Sequence, residues 1–110
     1  MISLAIQSTA LVPTASASKY LQQLCKHWQH NLAVDFTPER GTITFPKDAR
    51  GAAYPGDAQV TLTAREDGLD VHIDATSPDQ LDALKGAVAR HLDRFAFREA
   101  PLAFAWQDVG

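Results

Sequence analysis

Histidine and basic side chains gather in two short segments, YLQQLCKHWQH (Tyr20 to His30) and HLDRFAFRE (His91 to Glu99), each along the edge of an apolar helical stripe. His27 and His30 stand three residues apart, so on a helix their Cβ atoms are neighbours and the pair can chelate a metal ion. A usable site wants a third ligand, which His91 supplies if the two helices pack side by side. His27, His30 and His91 are therefore the candidate metal set. Cys25 lies off the His30 side of its helix and fits the set poorly, and no HExxH glutamate accompanies the pair to act as a hydrolase base. The plainer reading keeps His27 and His91 as hydrogen-bonded residues at the core's edge, with His30 a helix-end cation favoured by the dipole.

A basic row, Arg90, Arg94 and Arg98, repeats at four-residue spacing along the second segment. With Lys26 it could hold an anion, since arginine forks bind carboxylate or phosphate bidentately. The same row also reads as a solvated face paired with its neighbours Asp93 and Glu99. Catalysis finds little footing: there is no GxSxG, P-loop, Rossmann glycine pattern or paired-carboxylate motif. His72 between Asp70 and Asp74 belongs to the solvent side of a strand. Cys25 would need His27 or Lys26 to activate it, and side chains one and two positions away on a helix do not face it. It reads as an inert, half-buried thiol, and the aromatics Trp28, Phe95, Phe97, Phe104 and Trp106 read as core.

These residues must be positioned by a small fold. The 110 residues suit a single domain spanning 1–110, and an apolar fraction of 45% with 21% charged residues is that of a globular protein. A net charge of −3 lacks the basic excess of a nucleic-acid binder. The lone Cys25 makes no internal disulfide and there is no zinc-type cysteine pairing, which points to the cytoplasm. The apolar N-terminal stretch has no preceding Lys or Arg and is interrupted by polar residues and Pro13, so a cleaved leader is not expected. No run approaches the roughly 20 apolar residues of a membrane span.

Strand and helix signals alternate along the chain. AQVTLTA and LDVHIDA flank Arg65-Glu66-Asp67-Gly68, and with Asp67-Gly68 as the turn Leu62 faces Ile73, Ala64 faces Val71 and Val60 faces Ala75. In a second hairpin, across Pro38-Glu39-Arg40-Gly41, Val34 and Phe36 pair with Phe45 and Ile43. Helix one starts near Ser16 with Ala17, Tyr20, Leu21, Leu24 and Trp28 on one stripe; helix two follows Ser77-Pro78 with Leu81, Leu84, Val88, Leu92 and Phe95. An N-terminal strand (Ile2, Leu4, Ile6, Ala10, Val12) and a C-terminal LAFAW strand complete the order β-α-β-β-β-β-α-β. One apolar face per element predicts an α+β two-layer sandwich, an antiparallel sheet of about six strands with both helices on one face. The segment from Pro46 to Asp57 is long for so small a domain and reads as surface filler.

The two segments, with PTASASKYL and VDFTPERGTI, resemble a bacterial family of domains of unknown function with a YLxQLCKHW…HLxRFAFRE signature. Its members occur alone or joined to siderophore-interacting flavoproteins, reductases that release iron from ferric siderophores. The resemblance implies an iron-acquisition setting and such a reductase as partner, although this chain has no flavin or nicotinamide pattern of its own. Its polar signature positions here, Lys26, His27, His30, His91, Arg94 and Arg98, are the expected ligand contacts. The leading expectation is a non-catalytic accessory module that binds a ferric-siderophore-related ligand, a metal ion or the reductase. The alternative is a structural or homodimerisation module acting through the sheet's polar face or edge. An enzyme with His27 or His91 as base is a third reading.

Overall fold

A computed structural model describes residues 6–48, 53–100 and 102–109. In chain order the elements are β1 (Ile6–Pro13), α1 (Ala17–Trp28), β2 (Ala33–Phe36), β3 (Arg40–Phe45), β4 (Ala58–Arg65), β5 (Gly68–Ala75), α2 (Pro78–Phe95) and β6 (Gln107–Val109). All strand pairs are antiparallel, in the order β2-β3-β4-β5-β1-β6. The expected two-layer α+β architecture is the one observed. Among the described residues no helix is long and apolar enough to cross a membrane.

Period-two alternation creates the core. Ala10 and Val12 of β1, Ile43 of β3, Val60 and Leu62 of β4 and Val71 and Ile73 of β5 are buried on one face. The stripes Tyr20, Leu21, Leu24, Trp28 and Leu81, Leu84, Val88, Leu92 cover them. Ser77 caps α2 as expected, accepting the Gln80 N–H at 3.1 Å with Pro78 in the first turn. Ser16 does not cap α1 with its hydroxyl. The Thr14 side chain serves that connection instead, accepting the Ser16 N–H at 3.1 Å while its hydroxyl donates to Glu99 at 3.0 Å.

Both hairpin registers differ from the sequence expectation by two residues. Val60 faces Ile73 and Leu62 faces Val71 around a Glu66-Asp67 turn, and Val34 faces Ile43 while Phe36 faces Gly41. A shift of two preserves which face each side chain occupies, so the binary pattern could not detect it. The glycines did not serve the turns. Gly68 lies in β5 opposite Pro13, where a Cβ would come within 2.4 Å of the Val12 carbonyl oxygen. Gly41 lies in β3 beneath α1, where a Cβ would sit 2.6 Å from Cys25 Sγ. Cys25 is accordingly fully buried, not half-buried, and burial pushes its thiol up to about 11.

Two further expectations change. The C-terminal strand begins at Gln107, after LAFAW, although Leu102, Phe104 and Trp106 still pack inward and the Phe104 and Trp106 rings stack at 5.6 Å. Ile2 and Leu4 lie outside the described residues. The segment after Pro46 is anchored, not filler: the Lys47 N–H donates to Asp57 (2.8 Å) and the Tyr54 N–H to the Lys47 carbonyl (3.0 Å). Gln80, buried at the start of α2, accepts the Thr76 N–H (2.7 Å) and donates to the Gly56 carbonyl (3.0 Å). That tie holds the end of the segment against α2.

Gly41→Ala is expected to destabilise the fold by about 1–3 kcal/mol through overpacking against Cys25. In a double-mutant cycle by urea unfolding, Cys25→Ala should recover part of that loss, giving a favourable coupling between the two sites. Additive losses would show that the Sγ contact is not the source.

Candidate functional site

The C-terminal turn of α1 meets the middle of α2 through a row of rings. Trp28, 6% exposed, stands edge-on to Phe45 of β3, with ring centroids 5.0 Å apart, and lies 4.9 Å from His91 of α2. His91 in turn lies 5.1 Å from His27, whose ring meets Phe95 at 5.9 Å. The helix periodicity dictates this meeting: Trp28 ends the buried stripe of α1, and His91 borders the Val88-Leu92 stripe of α2.

One side chain in this row has its neutral tautomer set by a hydrogen bond. Nδ1 of His91 is 2.6 Å from the Ala87 carbonyl oxygen, which can only accept, so Nδ1 carries the proton and Nε2 of the neutral ring is an acceptor. Burial, then the charges of His27, Arg94 and Arg90, pull His91 below the ordinary 6.5, while the Ala87 bond opposes them. Neutral His91 is therefore the form the fold favours.

Beside this row opens a cleft of roughly 680 Å³. Its walls come from Trp28, Asn31 and Leu32 after α1, Phe45 and Pro46 ending β3, Asp48 and Tyr54 of the anchored segment, and the α2 face from Gln80 to His91. The lining is mainly apolar and aromatic, with Arg90 and His91 together at the α2 wall. Apolar walls with a few convergent polar groups are the usual make-up of small-molecule sites.

The expected site residues divide. His27 and His91 come together, and His91 faces the cleft. His30 does not join them. The helix ends at Trp28 and His30 lies exposed in the following turn, so a spacing of three no longer makes it a neighbour of His27. Among the described residues no group of three His, Cys, Asp or Glu is placed to hold a metal ion, and Arg90 and Arg94 beside His91 would repel a cation. Lys26 is exposed on α1, and Arg94 is exposed on α2. Arg98 falls beyond the end of α2 and lies over the Phe97 ring at 5.8 Å, which breaks the expected row of three.

The expected neutralisation of the arginines does not occur. Asp93 accepts the Leu102 N–H at 2.9 Å, and Glu99 accepts the hydroxyls of Thr14 and Tyr20. Both acids fasten chain segments instead of pairing with arginine. The ion pairs among the described residues are Arg65–Asp70 (3.1 Å) and Lys85–Asp108 (2.7 Å), so Arg90, Arg94 and Arg98 make none there. Phe45, Tyr54 and Asn31 were missed as site residues because nothing local marks them. They reach the cleft only through the sheet register and the anchoring of residues 46–57.

The chain matches the model of a family described as "Uncharacterized protein conserved in bacteria (DUF2218)" over residues 9–107. No curated protein matches it. Among solved structures it is similar to the NMR structure of PA4090 from Pseudomonas aeruginosa, at 36% identity over 93% of this chain and 95% of that one, with a TM-score of 0.71.

A histidine held neutral by the fold makes stability depend on pH with a definite sign. The unfolded chain binds the His91 proton more readily than the folded one, so stability is fully present above about 6.5 and is lost as pH falls from there toward the lower folded value. The melting temperature should therefore drop as pH falls below about 6.5, and His91→Gln should flatten that slope. An unchanged slope in the variant would assign the dependence to other groups.

Proposed function

Since the chain belongs to the DUF2218 family of uncharacterized proteins conserved in bacteria, we propose that it is a non-catalytic binding module for an anionic ligand of the ferric-siderophore class, seated in the cleft beside His91. The observation that carries this reading is the un-neutralised arginine pair. Arg90 lines an aromatic-walled cleft, Arg94 stands close enough to act on His91, and Asp93, next to Arg94 in sequence, is engaged by the Leu102 N–H. Ferric catecholate complexes are both aromatic and negatively charged. Aromatic walls favour the rings, guanidinium forks favour the charged oxygens, and Lys26 at the end of α1 adds positive potential.

The iron setting comes from the resemblance to domains joined to siderophore-interacting flavoproteins. In this reading such a reductase is the partner, the cytoplasm is the compartment, and the domain presents a ligand that the reductase processes. Neutral His91, with Nε2 free to accept, lines the same cleft and suits the hydroxyl of a metal-free catechol, not the iron-bound oxygens of the ferric complex. A metal ion held by His27 and His91 alone is disfavoured by the adjacent guanidinium charges.

Titration with a ferric tris-catecholate complex, metal-free catecholate and ferric citrate tests the reading through Trp fluorescence and thermal shift. Ligand at 100 times its dissociation constant should add about 2.7 kcal/mol to stability. Arg90→Ala should weaken binding about tenfold or more, while Arg98→Ala should not. No response to any of the three, or equal binding by Arg90→Ala, would overturn it. A doubled mass in light scattering alongside such a flat panel would favour the homodimerisation module.

A further inference from the structure

Gly86 occupies the interior of α2, where glycine is the least favourable residue after proline. Mid-helix glycines usually admit a second backbone at close range, but nothing of that kind happens here. Outside the adjoining residues and the helix's own backbone, the three heavy atoms nearest to a Cβ built at position 86 all belong to the Arg90 guanidinium: Nη1 at 2.8 Å, Cζ at 3.7 Å and Nη2 at 4.0 Å. The guanidinium folds back one helical turn and lies over the bare backbone, in the space an alanine methyl would fill.

Arg90 is also a cleft-lining residue with no ion pair among the described residues. Given the anionic ligand proposed above, we infer that Gly86 and Arg90 together form the cleft's carboxylate-type subsite, with Gly86 as the positioning residue that seats the guanidinium. The subsite takes a planar pair of oxygens, as in a carboxylate or a catecholate edge, because the arginine fork engages two oxygens side by side. Seating the fork in advance reduces the side-chain freedom lost when the ligand arrives. Asn31 and His91 line the same cleft and add a neutral donor and an acceptor.

This arrangement predicts opposite effects on stability and binding from one methyl group. In Gly86→Ala the added Cβ displaces the end of a flexible side chain and no backbone, so the helix gains propensity and the melting temperature should rise by about 4 °C. Affinity for 2,3-dihydroxybenzoate, free or as its ferric complex, should fall about fivefold or more. Gly86→Ala combined with Arg90→Ala should bind no worse than Arg90→Ala alone. Wild-type affinity in Gly86→Ala, or a further loss in the Arg90→Ala background, would overturn the inference. If the wild-type protein binds neither probe, the ligand class fails separately, and the Arg90 Nε–H signal in NMR then decides the positioning role. A dispersed, slowly exchanging signal that collapses in Gly86→Ala supports it, and a signal unaffected by the substitution overturns it.

Discussion

The burial of Trp28 between Phe45 and His91 is the contact on which the rest of the structure depends. It joins three elements that are remote in sequence: the end of α1, the end of β3 and the middle of α2. A buried tryptophan contributes 150–250 Å² of contact, and truncating one to alanine typically costs about 3–5 kcal/mol. The same packing builds the end wall of the cleft and half-buries His91. Desolvation of that imidazole, with its bond to the Ala87 carbonyl, then fixes which nitrogen is free to accept.

Electrostatics at the site follow from where the acids are spent. Glu99 holds Thr14 and Tyr20, tying the end of the α2 region to the β1–α1 connection, and Asp93 holds the backbone of Leu102. These bonds hold the C-terminal segment so that Leu102, Phe104 and Trp106 pack inward. A protein of net charge −3 thereby leaves Arg90 without an ion pair among the described residues, at a cleft that Asp48 also lines. The charge balance of the whole chain gives no sign of it.

Much of this was legible in the chain. Periodicity placed all four central strands and both helices on the right faces, and it marked His27, His91 and the arginine row as the polar border of the helix contact. The errors have a common cause. Gly68 and Gly41 looked like turn residues, yet each sits in a strand because another segment comes too close for a side chain, Val12 in one case and Cys25 in the other. His30 looked like a helical neighbour of His27, but the helix ends two residues before it. The segment after Pro46 looked like filler because its anchors, Asp57, Thr76 and Gln80, act through hydrogen bonds that composition does not reveal.

The sequence by itself determined the fold class, the order of elements and the inward faces, because these rest on local propensity and on repeats of two and 3.6 residues that any short window contains. Only the tertiary structure decided the strand order, the registers, the meeting of His27 with His91 apart from His30, and the cleft with Arg90 at its wall. Each of those depends on what distant segments bring to within a few ångströms: a strand carbonyl over Gly68, a buried thiol over Gly41, and acids drawn away to the chain termini of other elements. Such contacts are long-range in sequence, and no local pattern encodes them.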